Sequence, residues 1–135
     1  MGRVFFNTRK NVVDIAAAYT VLASDSGNVF NINQASAYEI TLPLMSEIEV
    51  GWNATFVIGT VAANAVTIAN NTAEDSIVGG ITGADGGAAT HAETAVDEIV
   101  FISGAVLGDQ CTVLFNGANF CVTGYAADVA HITVS

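Results

Sequence analysis

From Tyr19 onward, apolar and polar residues alternate with a period close to two, in short runs broken by Gly, Asn, Asp and Pro. That period sends successive side chains to opposite faces of an extended chain. It predicts strands over Tyr19–Leu22, Asn28–Ile32, Tyr38–Leu42, Ala54–Ile58, Ala65–Ala69, Ser76–Val78, Glu98–Ser103, Gln110–Phe115, Asn119–Tyr125 and Ala130–Val134. Turn chemistry separates them. Asp25-Ser26-Gly27-Asn28 supplies side chains that bond their own backbone and a glycine that accepts positive φ. Pro43 closes the third strand because it brings no amide donor to a ladder. Asn116-Gly117, between two apolar runs, signals a hairpin. About ten short strands so punctuated predict an all-β fold, a single β-sandwich or jelly-roll-like domain of antiparallel strands. Val57, Ile68, Ile99, Phe101, Val113 and Phe115 are expected in its core.

Three stretches stand apart from the alternation. Residues 1–13 form an expected N-terminal arm ahead of a sandwich spanning residues 14–135. Asp14–Ala18 is Ala-rich and predicts one turn of helix, with Asp14 as its N-cap. Gly79 to Val96 holds five glycines and little alternation, which predicts a long loop at one end of the sandwich. There is no internal repeat and no linker that would divide the chain.

Composition then narrows the class. A chain of 135 residues suits one domain, and 52% apolar residues are enough to build its core. Charge is divided unevenly. The only Lys and Arg are Arg3, Arg9 and Lys10, whereas all 13 carboxylates lie beyond Asn11, so an arm of +3 precedes a body of −13. Such a body has no cations with which to displace counterions, so nucleic acid and anionic lipid are excluded as its partners. Cys111 and Cys121 are too few for a disulfide framework; both sit in apolar runs and are expected reduced and buried, with a bridge left open. The first residues lack the apolar stretch and cleavage site of a secretory leader, and no apolar run is long enough to span a bilayer. Synthesis in the cytoplasm is the expectation.

No catalytic function is expected. Nucleophilic catalysis needs a Ser or Cys beside a His that a carboxylate holds, and the two histidines, His91 and His131, sit in no such motif. His131 is expected at a pleat position with its imidazole satisfied, His91 in the Gly-rich loop. With no Lys or Arg beyond residue 10, the body has no phosphate-binding lysine or arginine finger. The acidic pairs Glu74-Asp75 and Asp97-Glu98 could contribute to a calcium site, but no EF-hand spacing is present. Neither a cofactor nor a metal is expected.

The order of short pieces between residues 19 and 125 carries a resemblance. Tyr19-Thr20-Val21-Leu22-Ala23-Ser24-Asp25-Ser26-Gly27 is followed by Tyr38-Glu39-Ile40-Thr41-Leu42-Pro43, then Gly51, Thr55-Phe56-Val57-Ile58 and Ala65-Val66-Thr67-Ile68. Asp75-Ser76-Ile77-Val78-Gly79, Gly108-Asp109-Gln110-Cys111 and Asn116-Gly117-Ala118-Asn119-Phe120-Cys121-Val122 complete the series, with Phe120 where the family has Trp. In this order they resemble the capsid decoration, or cement, proteins of tailed bacteriophages, β-sandwich domains related to head-fibre and tail-fibre modules. The resemblance implies a structural virion protein on the outer capsid surface, a homotrimer whose partner is the major capsid protein. Arg3, Phe5, Phe6, Arg9 and Lys10 are the expected capsid-binding residues, since aromatics flanked by cations have the character of interface anchors. The alternative is a phage fibre or spike head that binds a host receptor or glycan through the Gly-rich stretch.

Overall fold

A computed structural model describes residues 9–71 and 75–135. Arg3, Phe5, Phe6 and Glu74 lie outside the described residues. Twelve strands form the all-β architecture: β1 (Val12–Ile15), β2 (Tyr19–Thr20), β3 (Val29–Asn33), β4 (Tyr38–Thr41), β5 (Asn53–Thr60), β6 (Val66–Ala69), β7 (Ile77–Gly83), β8 (Thr90–Val96), β9 (Glu98–Phe101), β10 (Gln110–Phe115), β11 (Phe120–Ala126) and β12 (Ile132–Val134). They make two sheets, one of seven strands in the order β1-β3-β5-β10-β11-β7-β8 and one of five in the order β12-β9-β6-β4-β2. The expected sandwich is there.

Its pairing is not the antiparallel one the turn grammar suggested. From β1 to β6 the chain alternates between the two sheets, so each strand lies beside the one laid down two strands earlier and runs in the same direction. The pairs β1-β3, β3-β5, β2-β4 and β4-β6 are therefore parallel, as is β7-β11. The other five pairings are antiparallel, among them the β10-β11 hairpin. In that hairpin Asn116 Oδ1 accepts from the amides of Ala118 and Asn119, and Gly117 takes φ 101°. The Asn-Gly signal was sufficient there because both partners of the turn are local.

The core lies between the sheets. Phe30 and Phe56 stack with ring centroids 5.2 Å apart, and Ile40, Ile68 and Ile99 cross three strands of the smaller sheet in register. Ile68, Ile99, Phe101, Val113 and Phe115 are buried as expected. Val57 is not: it is half-buried on the outer face, and its neighbours Phe56 and Ile58 fill the core instead. A shift of one residue along a strand exchanges the two faces, and the three successive apolar residues Phe56, Val57 and Ile58 hid the phase.

Three further expectations change. Residues 12–15 are a strand, β1, so the sheet begins inside the span read as arm, and the helical turn at Asp14–Ala18 is absent. Asp14 Oδ1 accepts from Asn31 Nδ2 at 2.8 Å on the neighbouring strand, a cross-strand bond in place of a helix cap. Gly79–Val96 is not a long loop but most of the β7-β8 hairpin, with only residues 84–89 between strands. Gly79, at φ 112°, sits at a bulge where a Cβ would collide with the Val122 carbonyl, so glycine is what lets β7 lie against β11. Glycines chosen for close approach carry no side chain to show alternation.

Candidate functional site

Of the five expected docking residues, Arg9 and Lys10 are described, and both are exposed. They lead directly into β1, which forms one edge of the large sheet. The cationic end of the chain thus joins the body at a sheet edge, beside Asp14.

The large sheet has an outer face of unusual chemistry. Its five central strands, β3, β5, β10, β11 and β7, contain no Asp, Glu, Lys, Arg or His. Register carries one row straight across it, Val12–Val29–Thr55–Thr112–Thr123–Gly80–His91. Thr55 and Thr112 share a hydroxyl hydrogen bond of 3.1 Å within that row. Leu114 and Tyr125 are 43% and 52% exposed on the same face. Charge appears only at the two edge strands, Asp14 on β1 and His91 and Glu93 on β8. The smaller sheet differs, since its outer face presents Glu39 on β4 and Glu98 on β9. Over β7, β8 and β11 the uncharged face dips into a groove of about 560 Å³, lined by Val78, Gly80, Cys121 and Thr123, with His91 and Glu93 on its far side.

No protein-family model, curated protein or solved structure matches this chain. Function therefore has to be read from the geometry.

The buried carboxylate among the described residues serves the fold. Asp109 is 2% exposed, and its carboxylate accepts from the Val106 amide at 2.9 Å and the Ala127 amide at 2.8 Å. Its Oδ2 also lies 2.7 Å from His131 Nδ1. His131 closes a short 3-10 turn, Val129–His131, so its imidazole is satisfied although it does not occupy the expected pleat position. Asp109 escaped the sequence reading; Gly108-Asp109 after an apolar run looks like an exposed turn until the chain folds over it. Asp25 has a similar task, accepting from the Leu22 amide, Asn28 Nδ2 and the Tyr19 hydroxyl. Burial, then the Asp25 carboxylate, raises the pKa of Tyr19 above its ordinary value.

The two cysteines are both free. Cys111 pairs with Gly124 and Cys121 with Leu114, so they lie three rungs apart in the hairpin and on opposite faces of it. A bridge between them is ruled out by that geometry. Cys111 is buried in the core, which pushes its pKa up to about 12, whereas Cys121 is half-buried in the groove and not in the core as expected. Trp52, the one tryptophan, is 4% exposed and packs edge-on against Phe120, so it offers no open platform for a sugar ring. Among the described residues no group of three or more His, Cys, Asp or Glu could hold a metal ion. Nor is any described helix long and apolar enough to cross a membrane.

Proposed function

We propose that this chain is a structural virion protein that binds the outer surface of a tailed-phage capsid and stabilises the mature head by bridging capsomers. It does so as a homotrimer, through contacts and not through catalysis. One observation carries the reading: every Lys and Arg of the chain lies within residues 3–10, and the two among the described residues, Arg9 and Lys10, stand just ahead of the edge strand of the large sheet. A basic, aromatic-bearing segment joined to the rim of a rigid sandwich is suited to reach an acidic shell without the body approaching it. The resemblance of residues 19–125 to decoration proteins supports the same reading. The physical benefit is linkage, since any molecule that binds only the expanded shell shifts the equilibrium toward it, and many copies add their contributions. The partner is the major capsid protein.

The test is sedimentation with heads assembled from the major capsid protein of the genome that encodes this chain. The full chain should co-sediment with mature heads, and a chain lacking residues 1–10 should fold and stay in the supernatant. That deletion leaves β1 intact, so the sheet edge survives it. Binding of the shortened chain at full stoichiometry would move docking from the arm to the body. A low copy number per particle would favour the fibre-head alternative, because decoration requires many copies.

A further inference from the structure

We propose that the uncharged outer face of the large sheet is where one copy of this chain meets another. The inference rests on the structural reading above in taking a further copy as the occupant, and it adds which surface makes the contact.

The argument begins with charge. The chain carries 13 carboxylates and three cations, all three within its first ten residues. Two such bodies repel wherever their carboxylates come face to face. Contact between copies therefore needs a surface that presents none. The strands β3, β5, β10, β11 and β7 supply it, and the smaller sheet, with Glu39 and Glu98 on its outer side, does not. In an assembly of identical chains both sides of each contact come from the same body, which beyond residue 10 carries carboxylates and no Lys or Arg, so a charged contact there sets like against like. An uncharged face escapes the penalty. A cationic partner, by contrast, would gain nothing from it and would be drawn to the acidic loops and the smaller sheet.

Distance and size agree with charge. From the central strand to either edge is three strand spacings, or roughly 14 Å, against a screening length of about 8 Å at physiological salt. Asp14 and Glu93 at the rims therefore weigh little on a contact centred over β10. The five uncharged strands, five to eight residues long and about 4.8 Å apart, give a face of roughly 500 Å². Two such faces bury about 1,000 Å², where specific protein contacts begin. The composition also fits. Leu114 and Tyr125 bring exposed apolar surface, Thr55, Thr112 and Thr123 bring short hydroxyls, and Gly80 leaves the groove into which a neighbour's side chain can enter.

The experiment is sedimentation velocity on the full chain at micromolar concentration in moderate salt. Thr112→Glu puts a carboxylate at the centre of the face, and Thr67→Glu puts one on the outer face of the smaller sheet. The wild type and Thr67→Glu should sediment as the same oligomer. Thr112→Glu should shift to monomer, its dissociation constant raised at least about tenfold by like charges in contact. Thr112→Val, uncharged and of similar size, should keep the oligomer, which separates the effect of charge from a folding defect. A monomeric wild type overturns the proposal, as does a Thr112→Glu variant that assembles normally or a Thr67→Glu variant that falls apart equally. So does a monomeric wild type whose head binding Thr112→Glu abolishes, since the face would then belong to the capsid. An oligomer that Thr112→Glu disrupts but that never binds heads would leave this inference standing and sink the decoration reading instead.

Discussion

Asp109 Oδ2 and His131 Nδ1 stand 2.7 Å apart and join the loop ahead of β10 to the 3-10 turn ahead of β12. The same carboxylate accepts from the amides of Val106 in its own loop and of Ala127, so one buried side chain ties residues 106–109 to residues 127–131. Asp109→Ala should destabilise the fold by about 3 kcal/mol, since buried donors lose a charged acceptor. His131→Ala, at a partly exposed site, should cost about 1 kcal/mol. Urea unfolding of the two variants checks the order; equal effects would mean that the backbone amides matter little.

Phe56 and Val57 make a paired test of strand phase. Phe56→Ala, in the stack with Phe30, should cost about 3–5 kcal/mol, whereas Val57→Ala on the outer face should cost less than about 1 kcal/mol. Phe101→Ala, also fully buried, should resemble Phe56→Ala. A larger loss at Val57 than at Phe56 would invert the sheet.

The cysteines should differ in both reactivity and pH dependence. In the native protein at neutral pH a thiol reagent should modify Cys121 and spare Cys111, whose pKa burial pushes up to about 12. The folded form of Cys111 stays protonated while the unfolded chain ionises near its ordinary value of 9.0. Its contribution to stability is thus complete below that value and is lost as pH rises from there toward about 12. Denaturant midpoints for the wild type should fall across that window more steeply than those of Cys111→Ala. Parallel curves would show that Cys111 ionises equally in both states.

Within the arm, apolar burial should outweigh charge. Two aromatic side chains can supply roughly 1.5–3 kcal/mol each on full burial, against less than about 1 kcal/mol for an exposed ion pair. Replacing Phe5 and Phe6 by Ala should nearly abolish binding to heads. Neutralising Arg3, Arg9 and Lys10 should weaken it less and mainly at low salt, because cations guide approach and register. Sedimentation with heads across a salt series measures both, and a dominant effect of the cations would reverse the assignment.

Alternation and turn residues were enough to place ten of the twelve described strands and an all-β sandwich, but not β1, read as arm and helical turn, or β8, read as part of a loop. Both signals are local: Asn116-Gly117 closes its own hairpin, and the period of two at β10 needs no knowledge of its neighbours. Charge along the chain likewise separated a cationic first ten residues from an acidic remainder without any structure. What the tertiary structure decided was adjacency. Parallel partners such as β1 and β3, or β7 and β11, come together only after an intervening strand has crossed to the other sheet or a long stretch of chain has returned. Nothing in a strand's own period says which strand will lie beside it. The burial of Asp109, the opposed faces of Cys111 and Cys121, and the gathering of five uncharged strands on one surface all depend on that choice of neighbours. Periodicity records which side of its own strand a residue takes, whereas a site is made by side chains on several strands that only packing brings together.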